Sequence, residues 1–379
     1  MPPDIHAEWD LDPDFLTVNH GSFGATPRAV IAAQRAWQDR MERQPSRFMK
    51  TVYTGAIRAA AGALGAFLNA EGQNLVFVEN ATSGCNAILR NLVLLADENV
   101  MTLSHGYGAV RNTVRFATDR AGARITEAAV TFPGPTEESL VAAIMDAITP
   151  KTRLAVIDHI TSASAIVLPV QRIVAACHAA GVPVLIDGTH APGQVPVDLT
   201  AIGADWYVGN CHKWLCAPKG CAFLYAAPDR QSGLHPGTIS HGYEQGFLAE
   251  FDWTGTTDPS RFLAVTDAIA FHKRLGGVEL MKQNRVLAAR GGALIAQRLN
   301  TSVGTRGAVT CAMATIRLPV DDPTPEHALA IRDRLLAAGT DAPVHALDGA
   351  LWLRISAFAY NELQDYARLG DLVAEVLRG

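Results

Sequence analysis

Two apolar segments of the chain each end on a residue whose side chain can do chemistry. VGNCHKWLCAPKG (208–220) carries Lys213 directly after a strand-like run, and VLIDGTH ends its own run on Asp187, with His190 close behind. A buried lysine loses stabilisation of its charge, so its pKa falls and its neutral amine can form a Schiff base with an aldehyde. A lone lysine is more typical of a solvated surface, and a lone strand-end carboxylate often caps a turn. The pair favours a chemical role.

A third segment, ENATSGCNAILRNL, could bind an anion. It places Thr82 and Ser83 at the start of a predicted helix, where free backbone N–H groups and the helix dipole favour negative charge. Read alone, either residue is as typical of a helix N-cap. Pyridoxal phosphate chemistry requires a lysine for the aldehyde, a carboxylate for the pyridine nitrogen and donors for the phosphate. Lys213, Asp187 and this helix start meet all three requirements.

Composition narrows the possible partners. The chain has 379 residues, 49% hydrophobic and 18% charged, which is enough to bury a large core. A net charge of -5 provides no basic stripe, so nucleic acid and anionic membranes are poor candidate partners and a small molecule is the better one. The N-terminus lacks the pattern of a signal peptide, and no apolar run is long enough to span a bilayer. We therefore expect a cytoplasmic protein.

The six cysteines predict neither a disulfide framework nor a metal site. A chain of this length does not need disulfides for stability, and the sequence contains no C-x-x-C pair, so we expect reduced thiols. Cys211, Cys216 and Cys221 lie near His212, but their spacing fits no zinc pattern. We predict no metal.

The order of the predicted elements indicates an α/β fold. From residue 75 onward, short β-rich runs alternate with longer amphipathic ones, which predicts a parallel sheet flanked by helices. Ligands of such sheets bind beyond the carboxyl ends of the strands. Near the C-terminus the pattern changes to one typical of a small α+β domain. We predict an N-terminal arm (1–20), a large cofactor-binding α/β domain (21–285) and a small C-terminal α+β domain (286–379).

Four segments together resemble a known family: VNHGSFGATP, IDGTH, GNCHKWLCAPKG and WTGTTDPS. They are similar to the class V aminotransferase group of fold-type I pyridoxal phosphate enzymes, and most similar to its isopenicillin N epimerase branch. The resemblance covers nearly the whole chain. It implies a mainly parallel seven-stranded sheet flanked by helices, a small C-terminal α+β domain, and a homodimer with the active site at the subunit interface. The same branch includes C–S lyases that act on cysteine conjugates, and cysteine desulfurases are more distant relatives.

The resemblance also implies roles for single residues. Lys213 would bond to the cofactor aldehyde, Asp187 would partner the pyridine nitrogen, and His190 would contact the ring hydroxyl. Tyr107, in SHGYGAV, would stack on the ring face, with His105 as a rival for that role. The residues implied as phosphate contacts are Thr82, Ser83, Asn210 and His212, together with Thr256 reaching across from the partner subunit.

The substrate side of the site is implied by two further segments. WLRISAFAYN resembles the segment whose arginine binds the substrate carboxylate, which points to Arg354. The planar guanidinium of arginine suits this task because it binds a carboxylate through two parallel hydrogen bonds. Asn19 and His20, in VNHGSFG, resemble the N-terminal entry to the active site.

One departure from the desulfurases narrows the reaction. These enzymes take sulfur from the substrate on a mobile cysteine upstream of the arginine, and LLAAGTDAPVHALDGALWLRIS contains no cysteine before Arg354. We therefore do not expect a persulfide mechanism. Reactions that begin with removal of the Cα proton by Lys213 remain: epimerisation, loss of a sulfur substituent from Cβ, and transamination.

Among these reactions, the resemblance favours an isopenicillin N epimerase-like activity. Epimerisation needs a second acid on the opposite face of the cofactor ring, for which His190, His105 and Tyr107 are the candidates. A non-catalytic Rossmann-like binding protein would also carry polar residues at its strand ends. It would have no reason to combine Asp187, Lys213 and Arg354.

Overall fold

The computed structural model describes residues 5–378 and has a seven-stranded sheet at its centre. The strands lie in the order β1-β7-β6-β5-β4-β2-β3, and β7 runs in the direction opposite to the other six strands. This confirms the predicted, mainly parallel seven-stranded sheet. The strands are β1 (Leu75–Val78), β2 (Asn99–Leu103), β3 (Arg124–Ala128), β4 (Thr152–Asp158), β5 (Val184–Asp187), β6 (Trp206–Asn210) and β7 (Ala222–Ala226).

Helices cover both faces of this sheet. Alternate residues of a strand point to opposite faces, and in β1 Leu75 and Phe77 enter one apolar core while Val76 and Val78 enter another. Within the described residues the α-helices are α1 (His20–Phe23), α2 (Arg28–Arg43), α3 (Pro45–Arg47), α4 (Tyr53–Leu68), α5 (Ala81–Asn91), α6 (Gly108–Ala121), α7 (Glu137–Ala147), α8 (Val170–Ala179), α9 (Leu199–Ile202), α10 (Phe247–Asp252), α11 (Ser260–Leu263), α12 (Val265–Arg274), α13 (Val278–Arg298), α14 (Pro325–Ala337) and α15 (Leu363–Arg378).

A second, smaller sheet lies near the C-terminus and confirms the predicted α+β unit. Its antiparallel strands β8 (Met313–Arg317), β9 (Val344–Leu347) and β10 (Ala350–Ser356) lie in the order β8-β10-β9. Their core also includes Leu16 and Val18 from the N-terminal segment. The positions of the domain boundaries stay predictions, and helix α13 runs through the one placed between residues 285 and 286. Residues 1–4 and 379 lie outside the described residues.

Within residues 5–378, no helix is long and apolar enough to cross a membrane. No group of three or more His, Cys, Asp or Glu side chains in this part of the chain is arranged to hold a metal ion. All six cysteines are buried and free.

The fold delivers three polar residues to one edge of the large sheet. Parallel strands β4, β5 and β6 end on Asp158, Asp187 and Asn210 respectively, and the loop that carries Lys213 follows β6 directly. The carboxyl ends of neighbouring parallel strands meet at the same edge, which is where open α/β sheets bind their ligands.

Candidate active site

Lys213 lies in a buried loop with its amine facing His190. The side chain is only 9% exposed, and Nζ lies 3.3 Å from Nε2 of His190. Burial lowers the pKa of Lys213 to about 7, and the positive charge of Arg354 adds to the effect, while Asp187 opposes it. A large fraction of the amine is therefore neutral at neutral pH, which is the form that attacks an aldehyde.

The two ring nitrogens of His190 have different partners. Nε1–H of Trp214 donates to Nδ1 of His190 at 3.4 Å, so the ring proton belongs on Nε2, which faces Lys213. Burial holds the pKa of His190 well below its usual value, and the charges of Lys213 and Arg354 lower it further. The neutral ring thus presents an N–H donor beside the Lys213 amine, which suits the predicted contact with a ring hydroxyl.

Asp187 belongs to a buried pair of carboxylates. It lies directly beside Asp158 in the parallel register of β5 and β4, and both are buried. The backbone N–H and the hydroxyl of Thr189 donate to Oδ1 of Asp187 at 3.0 and 2.6 Å. Burial raises the pKa of both carboxyl groups, but these hydrogen bonds and Lys213 stabilise the ionised form of Asp187. The pKa of Asp158 is raised well above its usual value by burial and by the charge of Asp187, so Asp158 is the protonated member of the pair and Asp187 is the ionised one, as a partner of a pyridinium nitrogen must be.

Sequence reasoning missed Asp158, although a signal for it exists. LAVID ends a buried strand on an aspartate just as VLID does. The carboxylate of Asp158 also accepts a hydrogen bond from the backbone N–H of Tyr107. Asp158 is therefore a neighbour of both Asp187 and the start of α6.

The start of α5 has side-chain caps on two of its backbone N–H groups and one such group left over. The side chain of Asn80 caps the helix by accepting from the Ser83 N–H at 2.9 Å, and Oδ1 of Asn210 accepts from the Ala81 N–H at 2.9 Å. Among the described residues, none accepts from the backbone N–H of Thr82. This donor and the positive end of the helix dipole suit a phosphate group.

His212 and Thr256 are the other two residues predicted to contact phosphate. Nδ1–H of His212 donates to the Cys221 carbonyl at 3.0 Å, which leaves Nε2 without a partner in the described part of the chain. Burial lowers the pKa of His212 to about 4. Thr256 is exposed, and its neighbours Gly255 and Thr257 line a cavity of about 320 Å³ together with Thr82 and Ser83. Both phosphate contacts stay predictions.

Tyr107 and His105 occupy different environments. Tyr107 precedes α6 and is 44% exposed, so its ring can receive a ligand. His105 is buried, and its ring nitrogens lie 2.9 Å from the Ser164 hydroxyl and 3.3 Å from Oδ2 of Asp348. Of the two rivals, Tyr107 is the better placed to stack on a cofactor ring.

Arg354 projects from β10 and is held by hydrogen bonds to two segments. Its Nη1 donates to the carbonyl and the hydroxyl of Ser162 at 2.7 and 3.2 Å. Its Nη2 donates to Oδ1 of Asn19 at 3.0 Å and to Oγ of Ser22 at 2.9 Å. The Nε atom is buried and has no partner among the described residues. Burial lowers the pKa of Arg354 to about 10, so the group stays cationic at neutral pH and can receive a carboxylate.

His20 lies beneath the Lys213 loop. Its Nε2–H donates to the Lys213 carbonyl at 3.1 Å, and Nδ1 accepts from the Tyr360 hydroxyl at 2.9 Å. The ring is buried, and burial lowers its pKa to about 3. Direct contact of His20 or Asn19 with substrate stays a prediction, but with both ring nitrogens engaged, a positioning role suits His20 better.

The residues present fit pyridoxal phosphate. Lys213 would supply the amine, Asp187 the carboxylate, the start of α5 the phosphate donors and Tyr107 the exposed ring, and the fold brings these residues to the edge where the strands end. A family model for aminotransferase class V matches residues 24–364.

The chain belongs to this family. Pyridoxal 5'-phosphate is accordingly the cofactor of this class V protein, and the protein is an enzyme rather than a Rossmann-like binding protein.

Similar proteins of this class carry different activities. A probable chloroplastic L-cysteine desulfhydrase of Arabidopsis thaliana is 31% identical, with 97% of this chain and 84% of that protein covered. An isopenicillin N epimerase of Streptomyces clavuligerus is 28% identical, with 96% and 97% covered. Among solved structures, the cystine C–S lyase C-DES has a TM-score of 0.82 at 20% identity, over 96% of this chain and 98% of its own.

Proposed function

We propose that this enzyme is a C–S lyase that removes sulfur from Cβ of L-cysteine or of a cysteine conjugate. The observation that carries the proposal concerns the two groups that epimerisation would need. Lys213, with a pKa of about 7, can act as the base at Cα, but both ring nitrogens of His105, a candidate for the second acid, already contact protein groups. Elimination from Cβ needs one base at Cα, whereas epimerisation needs a second acid on the opposite face.

The residues of this chain divide the work of such a reaction. The cofactor, when bound, withdraws electrons from the Cα of the amino acid attached to it. Arg354 binds the substrate carboxylate, and Lys213 accepts the Cα proton on Nζ. The Cβ–S bond then breaks with its electron pair leaving on sulfur, which takes up a proton. With L-cysteine, one water enters and the products are pyruvate, ammonia and hydrogen sulfide.

The similarities support this assignment. Three relatives, at 30 to 32% identity, carry the name L-cysteine desulfhydrase, in two cases qualified as probable or putative. Residues 335–353, which precede Arg354, contain no cysteine, and this fits a lyase that releases sulfide rather than an enzyme that stores sulfur on the protein. We place the C–S lyase ahead of the epimerase that the sequence favoured.

Epimerisation is the second candidate, and one observation favours it. Tyr107 is exposed at the start of α6, so its hydroxyl is free to act as the second acid. Relatives named isopenicillin N epimerase, at 28 and 29% identity, support the same candidate.

Incubation with L-cysteine in deuterated water separates the two. A lyase releases sulfide and pyruvate in equal amounts, and Tyr107→Phe retains most of this activity because the aromatic ring is kept. An epimerase yields a deuterated D-isomer and loses that activity in Tyr107→Phe. A D-isomer without released sulfide from L-cysteine, and without released thiol across a panel of cysteine conjugates, would overturn the lyase assignment. Keto acid formation that depends on an added amino acceptor would instead indicate an aminotransferase.

We further propose that the enzyme works as a homodimer in which Thr256 contacts the phosphate bound by the partner subunit. The exposure of Thr256, beside a loop that lines the cavity at Thr82 and Ser83, supports this arrangement. Cofactor retention should fall when the protein is diluted until it dissociates, and Thr256→Ala should weaken retention in the dimer. A monomer in analytical ultracentrifugation that keeps its cofactor would contradict the proposal. Cytoplasmic location also stays a prediction.

A further inference from the structure

The short helix α1 lies against the main chain of the Lys213 loop. His20, its first residue, donates from Nε2 to the Lys213 carbonyl at 3.1 Å. Gly24, directly after α1, has φ +69°, and a Cβ built there would lie 2.2 Å from the His212 carbonyl oxygen and 2.8 Å from Cα of Lys213. Only glycine allows this approach. A shift of α1 therefore acts directly on the backbone that carries the Lys213 amine.

The other side of the same turn holds the guanidinium of Arg354. Asn19 and Ser22 supply the two oxygens that accept from Nη2, at 3.0 and 2.9 Å. The Ser22 hydroxyl in turn donates to Oδ1 of Asn19 at 2.8 Å. Four consecutive residues thus connect the group proposed to bind the substrate carboxylate with the lysine proposed to do the chemistry.

Arg354 cannot bind a carboxylate through two hydrogen bonds while all these contacts remain. The guanidinium has five N–H donors. Both Nη atoms are engaged, with Ser162 supplying the two acceptors for Nη1, so Nε is the donor left without a partner within residues 5–378. A carboxylate that bonds to Nε and Nη2 must replace an oxygen of Asn19 or Ser22.

We propose that α1 couples the two sites: a substrate carboxylate displaces the Ser22 hydroxyl from Arg354, and α1 transmits this exchange to the main chain of Lys213 through His20 and Gly24. The inference rests on the proposed roles of Arg354 and Lys213. It makes Ser22 the residue that occupies Arg354 before substrate binds, and His20 a positioning residue that does not contact substrate.

The packing around His20 suits it to transmit a small displacement. Its ring stacks on Phe358 with centroids 3.8 Å apart and planes within 3° of parallel, and the Tyr360 hydroxyl fixes its tautomer from the other side. The ring is buried and neutral, and protein atoms surround it. A shift of α1 that moves the ring must therefore also move the atoms that the ring contacts.

Propionate, which has the carboxylate but no amine to react, tests the exchange on the cofactor-loaded enzyme. In Ser22→Ala the carboxylate no longer competes with the hydroxyl, so the affinity for propionate should rise about two- to tenfold, the range expected for one net hydrogen bond. Ser232→Ala, at an exposed loop serine, is the matched control and should leave the affinity unchanged. An unchanged or weaker affinity in Ser22→Ala contradicts the exchange.

The coupling is read from the pH titration of the visible cofactor spectrum, with and without saturating propionate. We expect propionate to move the midpoint in the wild type, and His20→Ala to reduce that movement by at least half while the propionate affinity stays within about twofold. Tyr360→Phe, which loosens His20 without removing it, should give a smaller reduction and serves if His20→Ala folds poorly. A midpoint shift of wild-type size in both variants means that the propionate charge acts directly on Lys213, and overturns the coupling.

Arg354→Lys separates failure of this inference from failure of the proposed function. If Arg354→Lys leaves propionate affinity unchanged, Arg354 is not the carboxylate site, and both the proposed role and the coupling fail. If Arg354→Lys weakens binding while the Ser22 and His20 variants behave like the wild type, the coupling alone is wrong. Thermal denaturation, kcat and KM for cysteine are measured for each variant. A purely structural effect lowers the thermal stability of a variant and leaves its propionate response unchanged.

Discussion

Nζ of Lys213 and Nε2 of His190 lie 3.3 Å apart, with the Trp214 indole donating to the opposite nitrogen of the histidine ring. The histidine is therefore the donor and the neutral lysine amine the acceptor in this contact. Burial lowers the pKa of both groups, so the pair is stable without a net charge. A large fraction of the lysine is therefore in its nucleophilic form at neutral pH before the cofactor binds.

Lys213→Ala should abolish turnover and covalent attachment of the cofactor while leaving the fold intact, because this side chain supplies chemistry rather than packing. Lys219→Ala is the matched control, because the Lys219 amine donates to the Gly24 carbonyl at 2.8 Å, whereas the Lys213 amine faces His190. Borohydride reduction followed by peptide mass spectrometry checks the attachment site. A reducible bond that survives in Lys213→Ala would transfer the role to Lys219.

The rate at which cofactor-free protein captures pyridoxal phosphate should rise through pH 7 and then level off, because the pKa of Lys213 is about 7 and only the neutral amine reacts. Arg354 lowers this pKa, so Arg354→Gln should move the midpoint to higher pH. Stopped-flow absorbance across pH measures both. A wild-type midpoint near that of an exposed lysine, about 10.4, would mean that the amine is not desolvated.

Asp187→Asn should still bind the cofactor but slow Cα proton removal by orders of magnitude, because a neutral amide no longer holds the ring nitrogen protonated. Asp158→Asn is the matched control. If Asp158 is the protonated member of the pair, its amide variant keeps a neutral acceptor for the Tyr107 N–H and should exchange Cα deuterium at close to the wild-type rate. Equal losses in the two variants would mean that the charge is shared between the two carboxyl groups.

Gly188→Ala should destabilise the protein and impair cofactor binding. Gly188 directly follows Asp187, and a Cβ built on Gly188 would lie 2.2 Å from the ring of Tyr207. Overpacking of this kind lowers the free energy of unfolding by about 1–3 kcal/mol. Gly108→Ala provides the comparison, because a Cβ there meets no atom within 4 Å. Urea denaturation of both variants measures the difference, and equal stabilities would show that Tyr207 moves aside at no cost.

Much of the large sheet and the central pair of site residues could be predicted from local pattern. Continuous apolar runs are typical of strands that are buried on both faces, as in LAVID, VLID and WYVGN. Neighbouring parallel strands place their last residues at the same edge of the sheet. Asp187 and Lys213 each follow such a run, so their proximity was accessible from the sequence. The helix start at Thr82 and Ser83 was accessible for the same reason, since a capping residue and a strand precede it.

The sequence by itself determined which side chains lie at the strand ends, because the apolar pattern of a strand and the turn residues that end it are local properties of the chain. Only the tertiary structure decided how those side chains pair. The hydrogen bonds of Arg354 to Asn19 and of His20 to Tyr360 join residues more than 300 positions apart, and His105 is occupied by Asp348 from the β9–β10 turn. Such contacts depend on how the small sheet packs against the large one, and no periodicity in the sequence encodes that packing.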